Sequence, residues 1–344
     1  MTVAGEVADH LAARTRWRPL EIAFWAAAAA TLLLLPERHL ILTQAAIFGL
    51  FALSLDLILG YAGILSLGHA AFFGLGAYAA GLLAANGIIT EPLLALVVSG
   101  LAAALLGLMT SVLILRGADL TRLMVTLGVA LVLGEIANKL DWLTGGADGL
   151  QGVVVGPLLG RFAFDITGHV AYAYSLGVVF VMFLAARRLV NSPFGLSLRA
   201  IKGNRQRSSA VGVAADRRLV AIYTVAAGYA GVAGALLTQT TQFASLDALG
   251  FERSADALLV LILGGVGYLY GGLIGAVAFT LVKDGLGNLT AQYWQFWIGL
   301  ALVSIVLGGG RVRRLAARAR GWAGRSPLRS GLRGLAGLAK DSKR

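Results

Sequence analysis

The sequence predicts an all-α fold: a polytopic helical membrane protein with about ten membrane segments, some of them discontinuous. Three observations carry this. Of 344 residues, 58% are hydrophobic and only 13% are charged, about half the charge of an ordinary soluble domain, and the mean hydropathy is +0.80. The apolar residues come in unbroken runs, not in the every-second-residue alternation of an outer-membrane barrel. Glycine is abundant, 46 residues where average usage gives roughly 24, as expected where helices approach closely in lipid.

A spanning helix needs about 20 mostly apolar residues, because the hydrocarbon core is ~30 Å thick and each residue rises ~1.5 Å. Runs without Asp, Glu, Lys or Arg fall at 39–55, 57–90, 92–115, 166–186, 219–246, 257–282 and 285–310. Shorter apolar stretches lie at 22–35 and 120–138. Arg14, Arg16 and Arg18 precede the first stretch as in a signal peptide, but it ends at Leu35-Pro36-Glu37 with no small-x-small pattern. An uncleaved first helix is therefore expected. The 57–90 run is too long for one helix and is interrupted at Gly60-Tyr61-Ala62-Gly63. Gly228, Gly231 and Gly234, and the G-x-x-x-G pairs Gly267/Gly271 and Gly271/Gly275, sit at helix-packing spacing.

Lys and Arg collect before residue 20, at Arg116 and Arg122, from Arg187 to Arg218, and past Arg311. The positive-inside rule places all four clusters, and both termini, in the cytoplasm. The 36–38, 86–91, 140–165 and 239–255 stretches then lie outside. The organisation expected is a cytoplasmic segment 1–20, a membrane domain 21–308 and a basic cytoplasmic tail 309–344. That tail holds 11 of the 29 Lys and Arg residues, so the net charge of +12 is no nucleic-acid recognition face. Each tail charge near an anionic leaflet is worth about 1 kcal/mol, which is a topogenic role.

Several chemistries are excluded. Cysteine is absent and the four histidines have no zinc spacing, so no metal site is expected. None of the five lysines follows a glycine, so there is no phosphate loop; nor is there a G-x-S-x-G elbow or an H-E-x-x-H helix. The chain is expected to bind no cofactor and to be no enzyme. Polar residues concentrate instead in 55–78, where Tyr61, Gly63, Ser66, Gly68, His69 and Phe72 stand at presumed membrane depth. Irregular backbone there must be buried in protein or line a wet cavity, so these residues are substrate-pathway candidates. Asp56 and Glu135 join them as acids inside apolar runs, each costing about 2.5–3.5 kcal/mol at mid-bilayer. Asp56 could pair with His69 or with a base on another helix, and Glu135 lies one turn before Lys139, a bland i,i+4 pair.

The loop 189–213 carries Phe194, Leu198, Ile201, Ala210 and Val211 among Arg199, Lys202, Arg205 and Arg207. Apolar positions three and four apart give a short amphipathic helix at the cytoplasmic surface. It could rest on lipid headgroups or dock on a soluble partner; the basic character alone favours lipid.

Four stretches together resemble the membrane-spanning permease subunit of LIV-type (branched-chain amino-acid) ABC importers. These are Gly60-Tyr61-Ala62-Gly63 with the following Leu65 to Phe73; Thr126-Leu127-Gly128 leading to Gly134-Glu135-Ile136; Leu143 to Gly146 with Asp148-Gly149-Leu150; and Phe194-Gly195 with Leu198 to Ile201. The resemblance covers roughly 40–308. It implies a passive pathway gated by two cytoplasmic ABC ATPases that use ATP and Mg, with a second permease subunit and an extracytoplasmic solute-binding protein. It implies a multi-pass chain in a bacterial inner membrane, carrying branched-chain amino acids or related small solutes such as other amino acids, amides or urea. Residues 191–213 would be the ATPase-coupling loop, with Phe194, Arg199, Ile201, Asn204, Ala210 and Gly212 as its matching positions. Gly203, Arg205 and Ser209 stand where the family commonly has acids. The competing expectation is a self-sufficient proton-coupled secondary transporter using Asp56, Glu135 and His69. Ile201→Asp is expected to stop the first kind of transport and spare the second.

Overall fold

A computed structural model describes residues 19–115, 117, 119–165, 167–289, 296–297 and 299–300. The basic tail 309–344, and nearly all of the 1–20 segment, lie outside the described residues, as does most of the 285–310 run. The chain divides into two units, 1–284 and 285–344. The second unit contributes, among described residues, the close of the last helix and the edge-on rings of Phe296 and Trp297.

The first unit is helical, and its described residues contain two isolated β-bridges and no strand. The helices longer than the one-turn Asp141–Thr144 are α1 Pro19–Leu34, α2 His39–Asp56, α3 Ala70–Ala85, α4 Pro92–Ile114, α5 Asp119–Lys139, α6 His169–Val190, α7 Pro193–Gly203, α8 Arg205–Ala210, α9 Ala215–Thr241, α10 Phe251–Gly264 and α11 Leu269–Leu289. Six stretches are long and apolar enough to cross a membrane: Pro36–Tyr61, Pro92–Ile114, Leu120–Lys139, His169–Val190, Ala215–Thr241 and Leu269–Gly287. α1 and α3 are apolar but shorter, 16 residues each. The described residues thus give six full spans where about ten segments are expected.

Local sequence accounts for the ends. Pro36 opens the single 3₁₀ turn Pro36–Arg38 ahead of α2, and Pro92 and Pro193 occupy the first turns of α4 and α7, where a missing N–H costs nothing. α2 does not stop at Asp56 but continues as one π-helical turn, Leu57–Tyr61. The expected interruption of the 57–90 run follows, as irregular chain over 62–69. α3 then starts with the Ala70 N–H donated to Ser254 Oγ at 2.8 Å.

One expectation is corrected at the 257–282 run. It is not a single segment: its middle, 265–268, is non-helical, and the run is shared between α10 and α11. Gly267 lies in that break at φ +81°, a left-handed conformation that disfavours any side chain, so it packs no helix. Gly271 and Gly275 do pack, since a Cβ on either would fall within 2.3 Å of a carbonyl of the neighbouring segment.

α9 is the central post, with 72% of its spanning window buried inside the chain. Small residues bring it against α3 and α4: a Cβ on Gly231 would meet Ala103 at 2.3 Å, and one on Gly234 would meet the Phe73 carbonyl at 1.8 Å. At the periphery α5 buries 17% of its window, so most of its apolar surface faces outward. The 140–165 stretch is tied to the segment after α9 by the Leu150 N–H to Ala244 O bond, 2.8 Å.

Candidate functional site: the broken-helix junction

Where two breaks in helical structure meet α7, the chain assembles a set of long-range polar contacts. A π turn leaves carbonyls without the usual helical donors, and one of them, Gly60 O, accepts a hydrogen bond from Lys202 Nζ of α7 at 2.7 Å. One residue on, the Arg199 guanidinium lies over the Tyr61 ring, 5.2 Å from its centroid. Gly63 turns the chain away at φ +75°, and a Cβ there would stand 3.0 Å from Lys202 Cγ. The end of α2 is therefore clamped by two cations from α7.

From the other side, the break between α10 and α11 closes on the same turn. The Gly267 N–H donates to Asp56 Oδ1 at 2.7 Å, a charge-assisted bond of the stronger kind. Gly60 has no room for a side chain, because its Cβ would lie 2.1 Å from Asp56 Oδ1 and 2.7 Å from Gly267 N. Asp56 is fully buried, and its Oδ2 has no hydrogen-bond partner among the described residues. The junction thus joins α7, the π turn and the α10–α11 break through one lysine, one carboxylate and two glycines.

α7 can hold this position because one of its faces is buried in its own chain. Ser192 caps it, accepting from the Gly195 N–H at 3.4 Å. Leu198 and Ile201 are buried at 0% and 4% exposure, and Arg218 of α9 donates to Ser197 Oγ at 2.5 Å. The expected amphipathic helix is present, but Ile201 points inward. Ile201→Asp would therefore put a charge into the core and cannot separate two transport mechanisms. Asn204 is a cap, accepting from the Arg207 N–H at 2.9 Å. Phe194 is half-buried with Arg218 over its ring. Ala210 and Gly212 are exposed, and between them Val211 is 79% exposed.

The remaining pathway candidates fall elsewhere. His69 is fully buried, with Nε2 2.8 Å from Ser54 Oγ and its ring stacked on Phe51. Phe72 meets His69 and Tyr223 edge-on, and buried Ser66 faces Tyr223. Gly68 is pressed on α5, where its Cβ would lie 1.7 Å from the Thr126 carbonyl oxygen. This part of 55–78 is tightly packed core. Glu135 pairs with Lys139 at 3.4 Å on an exposed surface, the bland pairing foreseen. Asp56 bonds Gly267, His69 neighbours Ser54, and Glu135 stands apart, so the three proposed proton carriers form no chain. An open cavity of about 500 Å³ lies by the start of α2, lined by Glu37, His39 and His169 among others.

Sequence reasoning named Lys202 only as a loop base, Gly267 only as a packing glycine and Val211 only as an apolar loop position, and none of them as a site residue. The paired glycines Gly265 and Gly267 inside a charge-free run were the available signal for the second break. Lys202 had only its place beside Ile201.

A family model described as "Branched-chain amino acid transport system / permease component" matches residues 39–307. The chain is similar to the high-affinity branched-chain amino acid transport system permease protein LivM of Salmonella typhimurium. The two are 26% identical over 291 residues, which is 78% of this chain and 67% of the relative. The LivM protein of Escherichia coli is 25% identical over 293 residues, with the same shares of 78% and 67%. A shorter likeness, 31% over 127 residues, links 35% of the chain to 39% of the ribose import permease protein RbsC of Bacillus subtilis. No solved structure matches the chain.

Proposed function

Because the chain belongs to the branched-chain amino acid transport permease family, we propose that it is the membrane-spanning subunit of an ATP-driven importer in a bacterial inner membrane. It would assemble with a second permease subunit, two cytoplasmic ABC ATPases and an extracytoplasmic solute-binding protein. ATP and Mg would be used by the ATPases and no cofactor by this chain. The basic clusters support cytoplasmic termini, with 21–308 as the permease domain and 309–344 as a basic cytoplasmic tail. The solutes are branched-chain amino acids or related small solutes; relatives named for ribose, galactose and autoinducer 2 import mark how wide the family's chemistry runs.

One observation carries the mechanistic part. α7 grips the π turn of α2 through Lys202 and Arg199, while the Val211 tip beyond α8 stands free. An ATPase that binds this tip differently in its two nucleotide states would bias the chain between two conformations. Lys202 would pass the displacement to Gly60, and Asp56 would pass it on to the α10–α11 break. The outward apolar surfaces of α4 and α5, with 33% and 17% of their windows buried, are where a second permease and lipid would lie.

Two measurements test this. Purification of the tagged chain from its native membrane in mild detergent should recover a second permease and P-loop ATPases with ATPase activity. A chain that emerges alone, yet transports under a proton gradient without ATP, would sink the reading. In the purified complex, Lys202→Met should leave ATP hydrolysis within twofold of wild type, since the tip is untouched. Uptake per ATP should fall by about tenfold, the loss of one charge-assisted bond of roughly 1.5 kcal/mol. Lys202→Arg should restore much of it, and unchanged uptake by the methionine variant would remove Lys202 from the linkage.

A further inference from the structure

Arg253 stands in the first turn of α10 with its guanidinium over two phenyl rings, 5.3 Å from the Phe48 centroid and 5.9 Å from that of Phe73. Phe48 fixes its depth. The spanning stretch Pro36–Tyr61 has 26 residues, and Phe48 is at its middle, roughly 18 Å of helix from either end. Arg253 is therefore near mid-membrane and not in the outer 239–255 stretch expected from the charge distribution, beyond the reach of a snorkelling side chain to either headgroup layer. α10 begins at that depth and, being 14 residues or about 21 Å long, ends at the junction where Gly267 meets Asp56.

Arg253 forms no ion pair among the described residues. Asp247 and Asp256 are near enough to influence it electrostatically, but among the described residues no carboxylate is within ion-pair distance and no acceptor takes a hydrogen bond from its side chain. It is half-buried, with its nitrogens still accessible. An ionised group at mid-membrane without an ion pair points to a wet path or a binding site. The rings hold it in place by cation–π attraction and supply no acceptor, so the N–H donors stay free. A planar guanidinium with free donors matches a carboxylate in two parallel hydrogen bonds. The phenyl rings beside it would border an apolar substituent on the same solute.

We infer that Arg253 is the residue of the translocation path that receives the carboxylate of the transported solute. This rests on the permease reading above and gives it a substrate chemistry.

The test uses the whole complex in proteoliposomes of phosphatidylethanolamine and phosphatidylglycerol, offered leucine, valine, ribose and urea together, with accumulation read by mass spectrometry. Wild type should accumulate an amino acid, and Arg253→Gln should lower that accumulation at least tenfold with ATP hydrolysis retained. Arg253→Lys, which keeps the cation and loses the fork, should raise the KM for the same amino acid several-fold. Wild type that accumulates ribose or urea and neither amino acid would overturn the inference, as would undiminished amino-acid uptake by Arg253→Gln. If Arg253→Gln fails to assemble, the lysine variant decides: a raised KM supports the contact, and an unchanged one makes Arg253 structural. Accumulation that continues without ATP would remove the importer reading while leaving the Arg253 comparison intact.

Discussion

Val211→Asp should stop ATP-driven uptake in a chain that still folds. The side chain is 79% exposed at the tip after α8, and a surface substitution of this kind changes stability by no more than about 0.5 kcal/mol. An apolar knob on a basic, solvated loop is a poor lipid anchor by itself but fits a pocket on a partner, where truncating a central anchor costs about 2 kcal/mol or more. Burying a carboxylate in that pocket costs more again. Uptake by the reconstituted complex should therefore fall by at least about 30-fold, the equivalent of 2 kcal/mol, with loss of the ATPase from the purified complex and an unchanged unfolding temperature. Wild-type uptake by this variant would show that the loop docks elsewhere or rests on lipid.

Gly68→Ala should instead destabilise the fold itself. The added methyl would sit 1.7 Å from the Thr126 carbonyl oxygen and 2.4 Å from its carbon. Both are backbone atoms of α5 and cannot swing aside like the end of a side chain. The loop is held there as well, by the Leu67 N–H to Thr126 Oγ1 bond at 3.3 Å. A cost of about 3 kcal/mol, the upper end of overpacking, is expected. It is read as a lowered midpoint in heated size-exclusion profiles of the detergent-purified chain. Gly128→Ala is the control, because its Cβ would meet nothing within 4 Å and a helical Gly→Ala change is mildly stabilising. Equal behaviour of the two variants would show that the 62–69 segment is not packed on α5 as described.

Much of this architecture was legible because lipid imposes long charge-free runs, and the runs mark α2, α4, α6 and α9 to within a few residues. The interruption after Asp56 was legible too, since Gly60 and Gly63 bracket it. The second interruption was not: Gly265 and Gly267 lie in a run whose small residues also serve helix packing, and the two uses look alike in a sequence. Apolar spacing revealed that α7 has one buried face. It could not say whether that face meets the same chain or another, and so Ile201 passed for a docking residue. The junction itself depends on pairs 142 and 211 residues apart, Lys202 with Gly60 and Gly267 with Asp56. Nothing local announces such pairs. Glu135 and Lys139, four apart, were legible for the opposite reason.

The π turn Leu57–Tyr61 has a further consequence for how this chain tolerates change in length. A π turn accommodates one residue more than an α turn, so it is what remains after a single insertion into an otherwise regular helix. Deleting Leu59 should let α2 run straight into its final turn with better hydrogen bonding. The residues beyond the deletion would stay close to their present places, because the π turn absorbs the extra residue, whereas the same deletion in a regular part of α2 would rotate everything beyond it by about 100° and shift it by about 1.5 Å. The shortened chain would gain local helix stability and keep its phase, so that this turn is the one place in α2 where a residue can be lost without setting the membrane part and the cytoplasmic part out of register.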